Sequence, residues 1–318
     1  GTIGLAGDVY TKGISGYWQI IGWNIGWLML VFMAKRLWST GASSVVDVFG
    51  KSCGKTTRLA AALACLVFSV PALSTQLIGL GNMFKVVFSV AGIDLDYKIF
   101  VTISCIIMVF AVFKGGLYSS AYSGTFNFFI LAVVFVICLP IFTCVAAGGA
   151  SQAITNIEIL PASFKDLFAG VSVSATLLAI VKYCFTAGSN IAYVNNTLAA
   201  KDAKTARNGS IGGIISYFII PGIIMVCTLV LINVFPNLEN PSSVLTFSFL
   251  NIFPPVIRGL SVIALIAVVL STATIWVQNS GKIFGSDIYA HVKKNVTEDE
   301  VLKVCKWATI FWAIVSWV

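Results

Sequence analysis

Of the 318 residues, 58% are hydrophobic and only 10% charged, and the mean hydropathy is +0.96. A soluble domain carries roughly 25% charged residues, so the composition excludes a soluble globular fold and places the chain in a lipid bilayer. The net charge of +8 does not call for a nucleic-acid partner, because the basic residues form no aromatic-interleaved patch and sit between apolar stretches.

Taken in chain order, the first apolar span is expected over 17–34, closed by Lys35 and Arg36. Gly22 and Gly26 within it have the spacing of a close helix-packing face. Further spans are expected over 59–84, 97–113, 120–146, 171–199, 211–235 and 257–289, and an eighth begins at 304. Each full span is long enough to cross about 30 Å of hydrocarbon. Pro71, Pro140 and Pro221 fall inside spans and are expected to kink them. The opening Gly1-Thr2-Ile3-Gly4 reads as the inside of a helix, so the chain is expected to be a fragment of a longer protein, with 1–318 forming a single transmembrane unit.

The charges between spans alternate. Lys35, Arg36, Lys51, Lys55 and Arg58 face one acid, Asp47, after the first span; Lys201, Lys204 and Arg207 face Asp202 after the fifth. Lys293, Lys294, Lys303 and Lys306 follow the seventh, partly offset by Glu298, Asp299 and Glu300. The other loops carry Asp94, Asp96 and Lys98, then Glu158, Lys165 and Asp166, then Glu239 and Arg258. Positive charge gathers on the cytoplasmic side of membrane proteins, so the first set is assigned to the cytoplasm and the protein to the plasma membrane as a multi-pass protein.

Enzymatic chemistry lacks residues. There is no nucleophile–base pair or phosphate-binding loop, the eight cysteines show no CxxC spacing, and His291 is the one histidine. No organic cofactor and no obligate protein partner are expected. The polar residues that stand out lie in the seventh span, where Ser271, Thr274, Gln278 and Lys282 recur at helical spacing with Thr272 and Asn279 beside them. In lipid such a stripe belongs against the protein interior or a wet cavity. Two adjacent hydroxyls midway along a span, with backbone oxygens nearby, suit a hard monovalent cation. The alternative is that Ser and Thr bond their own backbone one turn back.

Five blocks, in order, resemble the sodium:solute symporters, a family that includes sodium-coupled transporters of sugars, proline and pantothenate. They are Ile3-Gly4-Leu5-Ala6-Gly7-Asp8-Val9-Tyr10 with Gly13; Thr57-Arg58-Leu59-Ala60 with Gln76, Gly79 and Gly81; and Lys114-Gly115-Gly116-Leu117-Tyr118. The last two are Thr197 through Ala206, and Ser271-Thr272-Ala273 through Asp287-Ile288-Tyr289. The resemblance implies an all-α, LeuT-like bundle of two inverted five-helix repeats with discontinuous first and sixth core helices. This chain would hold the second half of core helix one through part of core helix nine. By the same resemblance Na+ is the coupling ion, held by the hydroxyls of Ser271 and Thr272 and the backbone carbonyl of Val268, with the first-helix ligands preceding Gly1. The Gly-Gly-Leu block implies a turn between core helices four and five.

Solute contacts are expected from Trp18 and Gln19 on the second core helix, Gln76 on the third, and Lys182, Tyr183, Thr186, Asn190 and Tyr193 on the sixth, which is expected to unwind near Gly188. Trp18 either stacks on solute or anchors at the interface. Burying the Lys182 ammonium costs several kcal/mol unless it is paired. Three readings follow: it meets a solute carboxylate, exchanges a proton, or points into a water-filled vestibule. Departures from the family pattern are Gly124, where an acid is usual, Ile275, where a second ion site often has a serine, and Ile20 and Tyr217, where sugar carriers have Glu and Lys. The expected activity is sodium-coupled import of a small polar solute, an amino acid or carboxylate rather than a sugar. The alternatives are a proton-coupled or uncoupled carrier using Lys182, and a membrane sensor with a signalling domain beyond Val318.

Overall fold

The computed structural model describes every residue except Gly1, Ala91, Asp94, 169–171, Lys294 and Val318, and the side chains also of all but Thr2, Val90, Ala111 and 113–123. The side chains of the Lys114–Tyr118 block, and the loop charges Asp94 and Lys294, therefore lie outside the described residues. Among the described residues the regular structure is helical throughout. The chain opens with α1 (Thr2–Lys12), a short 3-10 turn and α2 (Trp18–Ser39), followed by α3 (Val45–Cys53), α4 (Lys55–Val90) and α5 (Tyr97–Ala132). A π-helical stretch, Val133–Cys138, joins α5 to α6 (Leu139–Ala146), and α7 (Ala150–Glu158) and α8 (Ala162–Lys165) follow. Next come α9 (Val173–Gly188), α10 (Ile191–Leu198), α11 (Ala203–Val234), α12 (Val244–Ile252) and α13 (Pro255–Lys282). A second π-helical stretch, Ile283–Tyr289, leads to α14 (Ala290–Val292), and α15 (Glu298–Trp317) ends the chain. Among the described residues six segments are long and apolar enough to cross a membrane, with Tyr97–Phe110 a shorter apolar stretch.

Local chemistry explains the interruptions. The span expected over 171–199 is broken: α9 ends at Gly188, and Asn190 caps α10 by accepting from the Ala192 N–H at 2.9 Å. This is the discontinuity expected of the sixth core helix. Pro140 has no N–H to give the turn before it, so the backbone there loosens into the π register of Val133–Cys138. Pro71 and Pro221 sit inside α4 and α11, which continue through them. The backbone runs helical through Lys114–Tyr118, joining the third and fourth expected spans into α5, where the resemblance implied a turn. Two glycines in a row weaken a helix by only about 1 kcal/mol each, which flanking apolar turns can offset.

The expected packing face on α2 is present. An ideal Cβ at Gly22 would lie 2.8 Å from the Tyr183 Cβ, and one at Gly26 would lie 2.2 Å from the Cys184 carbonyl oxygen. The α2 and α9 backbones are therefore in direct contact, as small residues permit. Gly13 has φ +65° where Phe164 of α8 presses on the turn after α1, a position no side chain could occupy. Tyr10 ties α1 to the end of α11, donating to the Phe235 carbonyl at 2.5 Å and accepting from the Leu238 N–H.

Two apolar clusters hold the bundle. One gathers Leu5, Phe135, Leu139, Phe249, Phe253 and Leu265; the other gathers Leu66, Leu73, Met108, Trp276, Val277 and Ala313. Helix α13 contributes Val269 to the first and Ala273 to the second. Ser271 and Thr272 thus lie where α13 passes from one cluster to the other.

Candidate ion and solute site

On α13 the i, i+3, i+4 spacing brings three oxygens together. The Ser271 Oγ lies 2.9 Å from the Val268 carbonyl oxygen and the Thr272 Oγ1 lies 3.1 Å from the same atom. Each hydroxyl donates to that carbonyl, so the local hydrogen bonds and the oxygen cluster expected for a cation coincide at one place. Thr274 is buried and donates to the Ser271 carbonyl at 2.8 Å. Ser271 is half-buried and Thr272 exposed. Lys282, three turns on, donates to the Ser43 carbonyl at 2.6 Å and so belongs to the basic end of the bundle, not to this cluster.

The residues expected to meet solute divide into groups. Lys182, Tyr183, Thr186 and Asn190 lie along α9 and its break. The Lys182 Nζ sits 5.3 Å above the Tyr183 ring, and Lys182 is not covered by other parts of the chain. Thr186 bonds its own helix at the Lys182 carbonyl, and Asn190 is the α10 cap. Trp18 and Gln19 are engaged elsewhere: Trp18 donates to the Leu167 carbonyl at 2.7 Å and packs on Phe168, while Gln19 donates to Asp8 at 3.1 Å. Gln76 is half-buried on α4. Gly124 faces open space, since a Cβ there would meet nothing within 4 Å.

Two features escape sequence reasoning. Around the α9–α10 break, Trp23, Trp27, Tyr183, Tyr193 and Tyr217 form an aromatic cluster with ring centroids 4.6–6.3 Å apart. The i, i+4 pair Trp23 and Trp27 was the available signal. Tyr217, standing where sugar carriers have Lys, stacks on Trp27, and Ile20 is core.

The second feature is a polar network at the basic end. Buried Asp287 accepts from Ser44, Asn195 bonds Asn279, and Arg58 pairs with Asp47 and meets His291. Burial works to raise the Asp47 carboxyl, but the Ser43 N–H and the charges of Arg58 and Lys51 outweigh it and hold the group below its ordinary 3.8. A carboxyl lowered on folding stabilises the fold above its unfolded pKa and ceases to do so as pH falls through the folded value. Asp47→Asn is accordingly expected to lower stability at neutral pH by about 1 kcal/mol. The difference from wild type should vanish below the ordinary carboxylate range. Thermal unfolding in detergent from pH 7 down to pH 3 checks this.

These features define a multi-pass helical membrane protein with one broken helix and, on another helix, a hydroxyl–carbonyl cluster near mid-span. Residues 2–318 match the family model described as sodium:solute symporter family. The high-affinity proline transporter PutP of Bacillus subtilis (strain 168) is 23% identical over 327 aligned residues, covering 94% of this chain and 65% of the relative. This chain thus spans about two thirds of that relative's length. A solved Na+-coupled sialic acid symporter, in a substrate-bound outward-open state, superposes with a TM-score of 0.77 at 16% identity, covering 99% of this chain and 72% of that one. The fold is LeuT-like, and the chain belongs to the sodium:solute symporter family. Its relatives are transporters, not enzymes.

Proposed function

We propose that the chain forms most of the core of a sodium-coupled symporter that imports a small polar solute across the plasma membrane by alternating access. One observation carries this reading: the Ser271 and Thr272 hydroxyls converge on the Val268 carbonyl, on a helix shared by both apolar clusters. Sodium bound there stabilises one state of the bundle and raises solute affinity, and solute raises sodium affinity by the same factor. One sodium moves per cycle, because Ile275 offers no side-chain oxygen where a second ion site would use a serine hydroxyl. The solute is an amino acid or carboxylate rather than a sugar. Where sugar carriers have a charged pair, Ile20 is buried in the core and Tyr217 belongs to the aromatic cluster, and Lys182 supplies a cation on α9. Trp18, Gln19 and Gln76 contribute to the pocket through the helices they sit on.

A second reading, a proton-coupled carrier, draws on Lys182: among the described residues it forms no salt bridge, and its ammonium rests on the Tyr183 ring. The full-length protein in liposomes separates the two. Uptake of labelled amino acids, carboxylates, sugars and nucleobases is measured with an inward sodium gradient, an inward proton gradient, and neither. Sodium-stimulated uptake of an amino acid or carboxylate is expected, with Lys182→Met weakening solute affinity about tenfold, the effect of losing one charged hydrogen bond. Uptake driven by protons alone and abolished by Lys182→Met would establish the second reading instead.

A further inference from the structure

Helix α1 is closed on one side and open on the other. Leu5, Ala6 and Val9 are fully buried, and Gly7 is pressed against Ser242. At about 100° per residue, the remaining sector carries Gly4, Asp8, Thr11 and Lys12. An ideal Cβ at Gly4 meets nothing within 4 Å, Thr11 and Lys12 are exposed, and the Asp8 side chain is 40% exposed. The open sector therefore has a bare recess at Gly4 and a carboxylate one turn further on.

A carboxylate in such a helix calls for a reason. Among the described residues the six membrane-crossing segments hold two acids, Asp8 and Asp287. Asp287 is bonded to Ser44 at the basic end. Helix α2 starts beside Asp8 and carries Lys35 and Arg36 at its far end, so Asp8 lies at the opposite, outer end by the positive-inside rule. A charge within an apolar segment faces water or a polar cavity and marks a place where ions or polar solutes pass.

The fold builds a second wall for this carboxylate. Gly13 (φ +65°) and Gly16 let the turn after α1 double back, and a Cβ at Gly16 would lie 2.9 Å from the Asp8 carbonyl carbon. That turn delivers Gln19, whose Nε2 donates to Asp8 Oδ2 at 3.1 Å and to the Gly16 carbonyl at 3.3 Å. Asp8 Oδ1 accepts from the Lys12 Nζ at 3.1 Å, and the Lys12 side chain is 57% exposed. A carboxylate accepts at about four lone-pair sites, so these two bonds leave others, and among the described residues the Gln19 side-chain oxygen accepts no hydrogen bond. An exposed ion pair within one helix is weak, and Lys12 yields to a better-fitting cation.

We propose that Asp8 and Gln19 receive the ammonium group of the solute at the outer end of α1, in exchange for Lys12. Asp8 Oδ1 and the Gln19 oxygen accept its N–H groups, and the recess at Gly4 takes the rest of the molecule. The solute is then an amino acid, and carboxylates without an amine are discriminated against. The inference rests on reading the chain as a solute carrier.

Uptake by the full-length protein in liposomes under an inward sodium gradient tests it. A labelled mixture of the protein amino acids is set against a labelled mixture of propionate, lactate and succinate. Wild type is expected to favour the amino acids. Asp8→Asn keeps the side-chain volume and removes the charge. It is expected to raise the half-saturating amino-acid concentration about tenfold or more, with the maximal rate, the half-saturating sodium concentration and any carboxylate uptake unchanged. Asp8→Glu should restore most of the affinity. Lys12→Gln removes the competing cation and is expected to lower the half-saturating amino-acid concentration about threefold, within what one exposed ion pair is worth. It carries the test should Asp8→Asn fail to fold. A merely structural carboxylate would lower the maximal rate at unchanged affinity. That result, or unchanged affinity in whichever of the two variants folds, overturns the proposal. Wild-type uptake confined to the carboxylates also overturns it and leaves the carrier reading standing. If wild type takes up neither mixture, the carrier reading fails, and binding of the amino-acid mixture to detergent-purified protein judges the site by itself. Binding weakened about tenfold by Asp8→Asn supports the site, and binding that is equal in both or absent overturns it.

Discussion

Replacing Ser271 and Thr272 together by alanine is expected to abolish sodium-stimulated uptake while leaving the protein in the membrane at wild-type abundance. Both hydroxyls lie within 3.1 Å of the Val268 carbonyl, so the double replacement strips two of the three oxygens that α13 offers an ion. An interaction with a charged partner is worth about 1.5–3 kcal/mol. Losing two such interactions raises the sodium concentration for half-maximal uptake by about a hundredfold or more, beyond any physiological gradient. The structural effect runs the other way. Bonds from Ser or Thr to the preceding turn slightly destabilise and bend helices, and Thr272 is exposed, so folding changes little. Initial rates of uptake against external sodium, normalised to the amount of reconstituted protein, decide it. Unchanged sodium dependence in the double variant would remove the ion-site assignment.

Gly26→Leu is expected to eliminate folded protein. The ideal Cβ falls 2.2 Å from the Cys184 carbonyl oxygen and 2.7 Å from the Ala187 Cβ. A backbone carbonyl cannot swing aside as a side chain can. α9 as a whole would have to move off α2, carrying with it the break capped by Asn190 and the aromatic cluster around Trp23. Overpacking a core commonly costs about 1–3 kcal/mol where side chains yield, and more where, as here, backbone meets backbone. Gly212→Ala is the matched control: a Cβ there meets nothing within 4 Å, and alanine is the better helix former. Size-exclusion profiles of detergent extracts should show a monodisperse peak for Gly212→Ala and none for Gly26→Leu. A folded, transporting Gly26→Leu would mean that α2 and α9 do not touch along this face.

How far the sequence reaches can be seen at particular residues. A bilayer demands about 20 apolar residues per crossing, so the apolar stretches could be read from composition alone. Ser271 and Thr272 stood out by their place in a polar stripe at helical spacing, whereas Val268 entered only through the resemblance to the family. The GxxxG contact of Gly22 and Gly26 was readable for the same reason, although its partner, α9, was not. Gly188 marked the break, since glycine commonly ends a helix, while the capping role of Asn190 emerged only from the structure.

The tertiary structure decided the rest. Trp18 and Gln19 were expected to meet solute, yet one bonds Leu167 and the other Asp8, because the sequence does not tell which group arrives to meet a polar side chain. Lys182 was read as a lone charge inside its span, and the folded chain sets its ammonium over the Tyr183 ring. Ser44 and Asp287 are 243 positions apart, and no spacing rule relates them. By itself the sequence determined the class and the apolar stretches, both of which follow from local geometry and the solvent preference of side chains. Only the folded bundle decided which polar groups meet across helices, because those contacts depend on where the packing of distant apolar faces sets each backbone.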